Sequence, residues 1–161
     1  GEKDYERITG NVTRVAETEG LVFDYEKQKI SPNTRNAHRL ILLAKEDGKH
    51  LEVVEALFKA YFTDGVDLSK NENLVNLASN AGLDRAKIAA FLDSDAGLAE
   101  VALAETELHR MGITGVPFYI INDKYGISGA QPTASFVEAF QNISKELTGA
   151  GEACETDSKN C

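Results

Sequence analysis

The stretch Gly112-Ile113-Thr114-Gly115-Val116-Pro117-Phe118-Tyr119-Ile120-Ile121 runs into the turn signal Asn122-Asp123-Lys124 and then Tyr125-Gly126-Ile127-Ser128. Aromatic and β-branched residues bounded by Gly, Pro and Asn-Asp predict a β-hairpin over 118–128. Side chains alternate across a strand, so Phe118 and Ile120 share one face while Tyr119 and Ile121 share the other. Both faces are apolar, which marks a strand covered on two sides. A two-stranded ribbon by itself is marginal in water. The hairpin is therefore expected to need a neighbour: another chain, a swapped copy, or further strands of the same protein. On pattern alone, the helices of this chain serve equally well as its cover.

Upstream of the hairpin the periodicity is helical. Tyr5, Ile8, Val12 and Val15 predict a helix over 3–19, closed by Gly20. Leu21 to Tyr25 reads either as a short strand or as an extended crossing segment. Pro32 pushes Ser31 out of helical geometry, and Asn33 is placed to cap a helix running to about Asp47 on Ala37, Leu40, Ile41 and Ala44. A third helix carries a wide apolar face of Leu51, Val54, Leu57, Phe58, Tyr61 and Phe62. Ser69-Lys70-Asn71-Glu72 has capping-box spacing, Asp84 caps another short helix, and Leu98, Val101, Leu108 and Met111 define a sixth. Downstream, Pro132 suits the start of a last helix on Phe136, Val137, Phe140, Ile143 and Leu147. Periodicity is lost after Thr148, and the rest is expected to be mobile.

Composition narrows the function classes. With 42% apolar and 27% charged residues in 161, the chain is globular and of single-domain length. Its 17 basic against 26 acidic residues give a formal charge of −9. Such a surface lacks the cationic stripe that phosphate backbones and anionic membranes demand, so neither nucleic acid nor membrane is an expected partner. Apolar runs are too short to cross a bilayer. No P-loop, dinucleotide glycine fingerprint or His-Glu-x-x-His helix is present, and the sequence implies no cofactor and no metal. The only thiols are Cys154 and Cys161. The start at Gly1, without an initiator Met, is taken as a hint of a segment of something longer, the alternative being ordinary removal of an initiator Met before Gly.

The quoted hairpin stretch, continued through Gly129-Ala130-Gln131-Pro132, resembles the closing half of a DsbA-family thioredoxin fold, more narrowly its FrnE-type branch of dithiol–disulfide isomerases. Pro32-Asn33-Thr34, Ala37-His38-Arg39-Leu40, Ala56-Leu57-Phe58-Lys59-Ala60-Tyr61-Phe62 and Gly82-Leu83-Asp84 resemble the same branch in the same order. The resemblance implies an α+β, mostly helical fold: a helical insertion domain over 3–111, the C-terminal β-β-α half of a thioredoxin-like fold over 112–148, and a flexible Cys-containing tail over 149–161. It also implies that the opening β-α-β unit, at least about 30 residues, and its redox-active Cys-x-x-Cys lie outside this sequence. The expected function is then that of a fragment of a cytoplasmic thiol–disulfide oxidoreductase, inactive by itself. Its partners would be protein or small-molecule disulfides, and either the missing N-terminal strands or a swapped dimer partner.

Candidate residues follow. A Pro at the first position of a strand is ordinarily trans; the resemblance instead implies a cis Val116–Pro117 bond facing the dithiol. In that role Val116 and Pro117 dock an extended substrate through the backbone. Asn33 and His38, at one helix start, would line a substrate groove; by themselves they read as a cap and a half-buried, hydrogen-bonded imidazole. Cys154 and Cys161 read as bland exposed thiols or as an auxiliary redox pair, which the Cys-containing tails of the resembling branch favour. Two ligands are too few for structural zinc, and Glu152, Glu155 and Asp157 oppose thiolate formation. Two alternatives remain. A glutathione-dependent isomerase or kappa-type transferase carries Asp-Arg where this chain has Ala130-Gln131. A non-enzymatic helical interaction module would bury the hairpin within the chain.

Overall fold

The computed structural model describes residues 2–152, with side chains for 4–148. In chain order the elements are α1 (Glu2–Thr18), α2 (Arg35–Glu46), α3 (His50–Phe58) continuing into a π-helical turn (Lys59–Thr63), α4 (Asn71–Asn80) and α5 (Arg85–Asp93). They are followed by α6 (Leu98–Arg110), β1 (Phe118–Ile121), β2 (Tyr125–Ser128) and α7 (Thr133–Glu152). The chain divides inside α6 into two compact units, Gly1–Glu107 and Leu108–Cys161.

In the first unit α2, α3, α4 and α5 pack on one another. Leu40, Val53, Leu74 and Ile88 are the largest fully buried side chains of their core. Each stabilises the unit by about 1.5–3 kcal/mol relative to exposure. α2 turns Ala37, Leu40 and Ala44 inward as the sequence predicts, but Leu43 rather than Ile41 completes the buried set, Ile41 packing at the core's margin. Asp84 caps α5 by accepting the Lys87 N–H at 2.7 Å.

Other local expectations are corrected. Of the two readings of Leu21 to Tyr25 the strand fails and the crossing segment stands. It is tied to α1 by the Leu21 N–H on Ala16 O, and to the π-turn by Asp24 N–H donating to Phe62 O and Thr63 Oγ1 donating to Val22 O, the last two at 2.7 Å. The capping box at Ser69 does not form, because the Ser69 hydroxyl and N–H both donate to Asp67 Oδ1 and Lys70 takes the N-cap position without a side-chain bond. The α1 stripe of Tyr5, Ile8, Val12 and Val15 is exposed. Past Thr148, where a tail is expected, the α7 backbone carries on to Glu152; each added residue gains a helical bond, which offsets the roughly 1 kcal/mol penalty of a glycine.

In the second unit β1 and β2 pair antiparallel in the register Phe118 with Ser128, Ile120 with Gly126 and Ile121 with Tyr125. Asn122 and Asp123 at the turn have φ of 53° and 54°, and Lys124 N–H closes it on Ile121 O at 3.2 Å. Two successive positive φ values match the right-handed twist of paired strands, and Asn and Asp tolerate them better than other side chains. Among the described residues the sheet stops at two strands. Each apolar face of β1 keeps one half-buried residue (Phe118, Ile121) and one exposed (Ile120, Tyr119).

Candidate functional site

The hairpin is braced from both ends. A Cβ on Gly126 would lie 2.8 Å from Phe118 Cζ, so the absence of a side chain there is what lets the Phe118 ring lie across β2. Tyr119 meets Phe136 of α7 edge-on, 4.9 Å between ring centres. At the turn, the Tyr125 hydroxyl donates to Glu146 Oε2 at 2.6 Å and Lys124 Nζ reaches the same oxygen at 3.3 Å. These two donors, the hydroxyl first, hold the Glu146 carboxyl below the usual carboxylate range. At the open end, Pro117 O accepts the Gly129 N–H at 2.9 Å.

Immediately before this braced ladder stands Val116, 92% exposed, and the Val116–Pro117 peptide bond is cis. Among the described residues no group hydrogen-bonds the Val116 N–H or C=O. A donor and an acceptor are thus held beside the first residue of a strand, where an extended segment could pair with them. Pro117 contributes no N–H and no reactive side chain.

Asn33 and His38 belong to the helical unit. Thr34, not Asn33, occupies the N-cap of α2; the Asn33 Oδ1 instead accepts the Arg35 N–H at 2.9 Å, the short loop that Asn forms with a backbone two residues on. His38 is exposed rather than half-buried, because the helix turns its neighbours Ala37 and Arg39 inward. Cys154 and Cys161 lie outside the described residues. Among those described, no three His, Cys, Asp or Glu converge as metal ligands, and no helix is long and apolar enough to cross a membrane.

Two features of the helical unit escape sequence reasoning. Arg39 is 2% exposed. Its guanidinium donates to the carbonyls of Phe91, Leu92, Ser94 and Ala96 and to Asn36 Oδ1, so the end of α5 and the loop after it close around one side chain. Phe91 lies under the same guanidinium, 5.3 Å to the ring centre. A charged residue within an inward-facing run was the available signal. The second feature is a cavity of about 470 Å³ lined by Leu21, Val22, Phe23, Phe58, Phe62 and Thr63, with Glu55 and Lys59 at its edge. Its signal was the apolar face of α3, wider than one core contact uses.

A family model described as a DSBA-like thioredoxin domain matches residues 3–141. Among solved structures, a probable DsbA oxidoreductase from Streptomyces coelicolor is similar with a TM-score of 0.79 and 33% identity over 100% of this chain. The chain spans 66% of that protein's length. No curated protein matches it. The mostly helical α+β architecture with a closing hairpin and helix agrees with both matches.

Proposed function

Because the chain belongs to the DSBA-like thioredoxin domain family, we propose that it is the helical and closing portion of a thiol–disulfide oxidoreductase, of the FrnE-like dithiol–disulfide isomerase type. One observation carries this: residues 3–141 match a redox family, yet the sequence holds no thiol before Cys154. The reacting dithiol then belongs to a part of the full-length protein beyond these residues. The solved relative, of which this chain spans 66%, supports the same view.

In the full-length protein a thiolate of that dithiol attacks one sulfur of a substrate disulfide, forming a mixed disulfide and releasing the other sulfur as thiolate. A different thiolate of the same substrate then attacks the substrate sulfur of the mixed disulfide, forming a new pairing and freeing the enzyme thiolate, while the first released thiolate stays reduced. The electron count of substrate and enzyme is unchanged, which is isomerisation. Where the second enzyme thiol attacks instead, the enzyme ends as a disulfide and the substrate is reduced by two electrons. Val116 holds the substrate strand by its backbone N–H and C=O; Pro117, with no donor and no nucleophile, leaves the exchange undisturbed. Asn33 and His38 line the substrate's path, and Cys154 and Cys161 form an auxiliary pair that exchanges with the main dithiol.

The test is insulin reduction with dithiothreitol as electron source. Full-length protein is expected to accelerate it, and residues 1–161 alone are expected to stay at the uncatalysed rate. Rapid reduction by residues 1–161 with both Cys154 and Cys161 changed to Ser sinks the assignment.

A further inference from the structure

The apolar face of α3 and the π-turn splits in two. Val53, Leu57 and Ala60 enter the core. Leu51, Phe58 and Phe62 follow a second stripe, and Phe58 stays 56% exposed. Opposite them the Leu21 N–H donates to Ala16 O of α1 and the Val22 carbonyl accepts the Thr63 hydroxyl, yet the two side chains keep 52% and 68% of their surface in water. Phe23 stacks on Phe62 with ring centres 4.6 Å apart and closes the far wall. The π-turn, in which Asp64 N–H reaches back to Lys59 O, is a departure from α geometry found often at functional sites. Both walls are thus fixed, and their apolar surface is unclaimed.

Charge at the edge of the groove is one-sided. Lys59 is neutralised by Asp64, whose carboxylate oxygens lie 2.9 and 2.6 Å from its Nζ. Glu55 has no cationic partner among the described residues. The uncompensated charge is negative, and so is the field of a chain with a formal charge of −9. An occupant must therefore bring an apolar side chain and a positive charge together. A cavity near 470 Å³ is the size of one or two large side chains rather than of a folded surface.

We propose that this groove docks an unfolded polypeptide substrate through an aromatic or aliphatic side chain seated between Phe58 and the Leu21–Val22 wall, with an adjacent Lys or Arg meeting Glu55. The inference rests on the disulfide-exchange reading for the nature of the substrate. Its test does not involve sulfur. The ¹⁵N-labelled full-length protein is titrated with the thiol-free peptide acetyl-Gly-Phe-Leu-Lys-Gly-amide and with its counterpart bearing Glu in place of Lys. The Lys peptide is expected to shift amides of 21–23 and 55–63, and to bind about threefold more tightly than the Glu peptide, as a half-exposed ion pair allows. Glu55→Lys is expected to reverse that order. Phe58→Ser, at an exposed position that leaves the core untouched, is expected to weaken both peptides about tenfold. Shifts confined to other residues, an unreversed order in Glu55→Lys, or no binding at all overturn the proposal. Disulfide turnover that persists without binding here removes this groove alone, whereas binding without turnover removes the oxidoreductase assignment and leaves the groove.

Discussion

Arg39 directs every N–H of its guanidinium at an oxygen, four of them backbone carbonyls at the end of α5 and just beyond. A helix C-terminus carries partial negative charge, so a buried cation there is answered without a carboxylate. Arg39→Ala strands those carbonyls in the core and is expected to cost about 3 kcal/mol or more, read as a lower urea midpoint. Arg39→Lys is expected to restore little, since an ammonium lacks the planar fork. The neighbouring Gly97 makes the clamp possible: at φ +76° a Cβ there would sit 3.1 Å from Phe91 Cζ. None of this was legible from residue type, because the acceptors are main-chain atoms some 50 positions away. Asp67 gives a second residue-scale prediction. The Ser69 hydroxyl and then its N–H hold the Asp67 carboxyl below its ordinary value. A depressed folded-state value stabilises above the ordinary carboxylate range, and that stability disappears as pH falls through the depressed value. Asp67→Asn is therefore expected to lower the urea midpoint at pH 7, and to converge with the parent only once the pH has fallen below the ordinary carboxylate range and through the depressed value.

At the scale of elements, the hairpin was the most legible part of the chain. β-prone runs, a three-residue Asn-Asp-Lys turn and flanking Gly and Pro all agree, and the register pairs Ile121 with Tyr125 across that turn. Gly126 was readable only as a weak strand residue; its use, receiving the Phe118 ring, needs the pairing register. Gly126→Val is expected to expel that ring and broaden the amide resonances of 117–121 in NMR spectra, while the signals of 35–93 stay in place. Helices α2 and α5 were legible because a capping or periodic signal coincided with a core contact. Leu21 to Tyr25 was ambiguous for a physical reason: a short apolar run suits a strand, and only the carbonyls freed by the π-turn decide that it pairs with a helix instead. Of the candidate site, Val116 and Pro117 were legible through the motif around them. Exposure of His38 depends on a helix rotation of one residue, which periodicity alone places poorly.

For the whole molecule, the chain consists of a helical unit with its own core and a hairpin unit whose sheet, among the described residues, has two strands. The ion pairs on its surface, such as Lys87 with Asp47 and Lys27 with Asp24, depend on carboxylates and on dilute salt. The Arg39 clamp depends on neither. Peptide oxygens do not titrate in this range, and counterions do not reach a side chain closed off in the interior. In an acidic or briny medium the outer charges would let go first, while the joint between α2 and α5 kept its grip. The helical half of this protein is thus built to outlast the decoration around it.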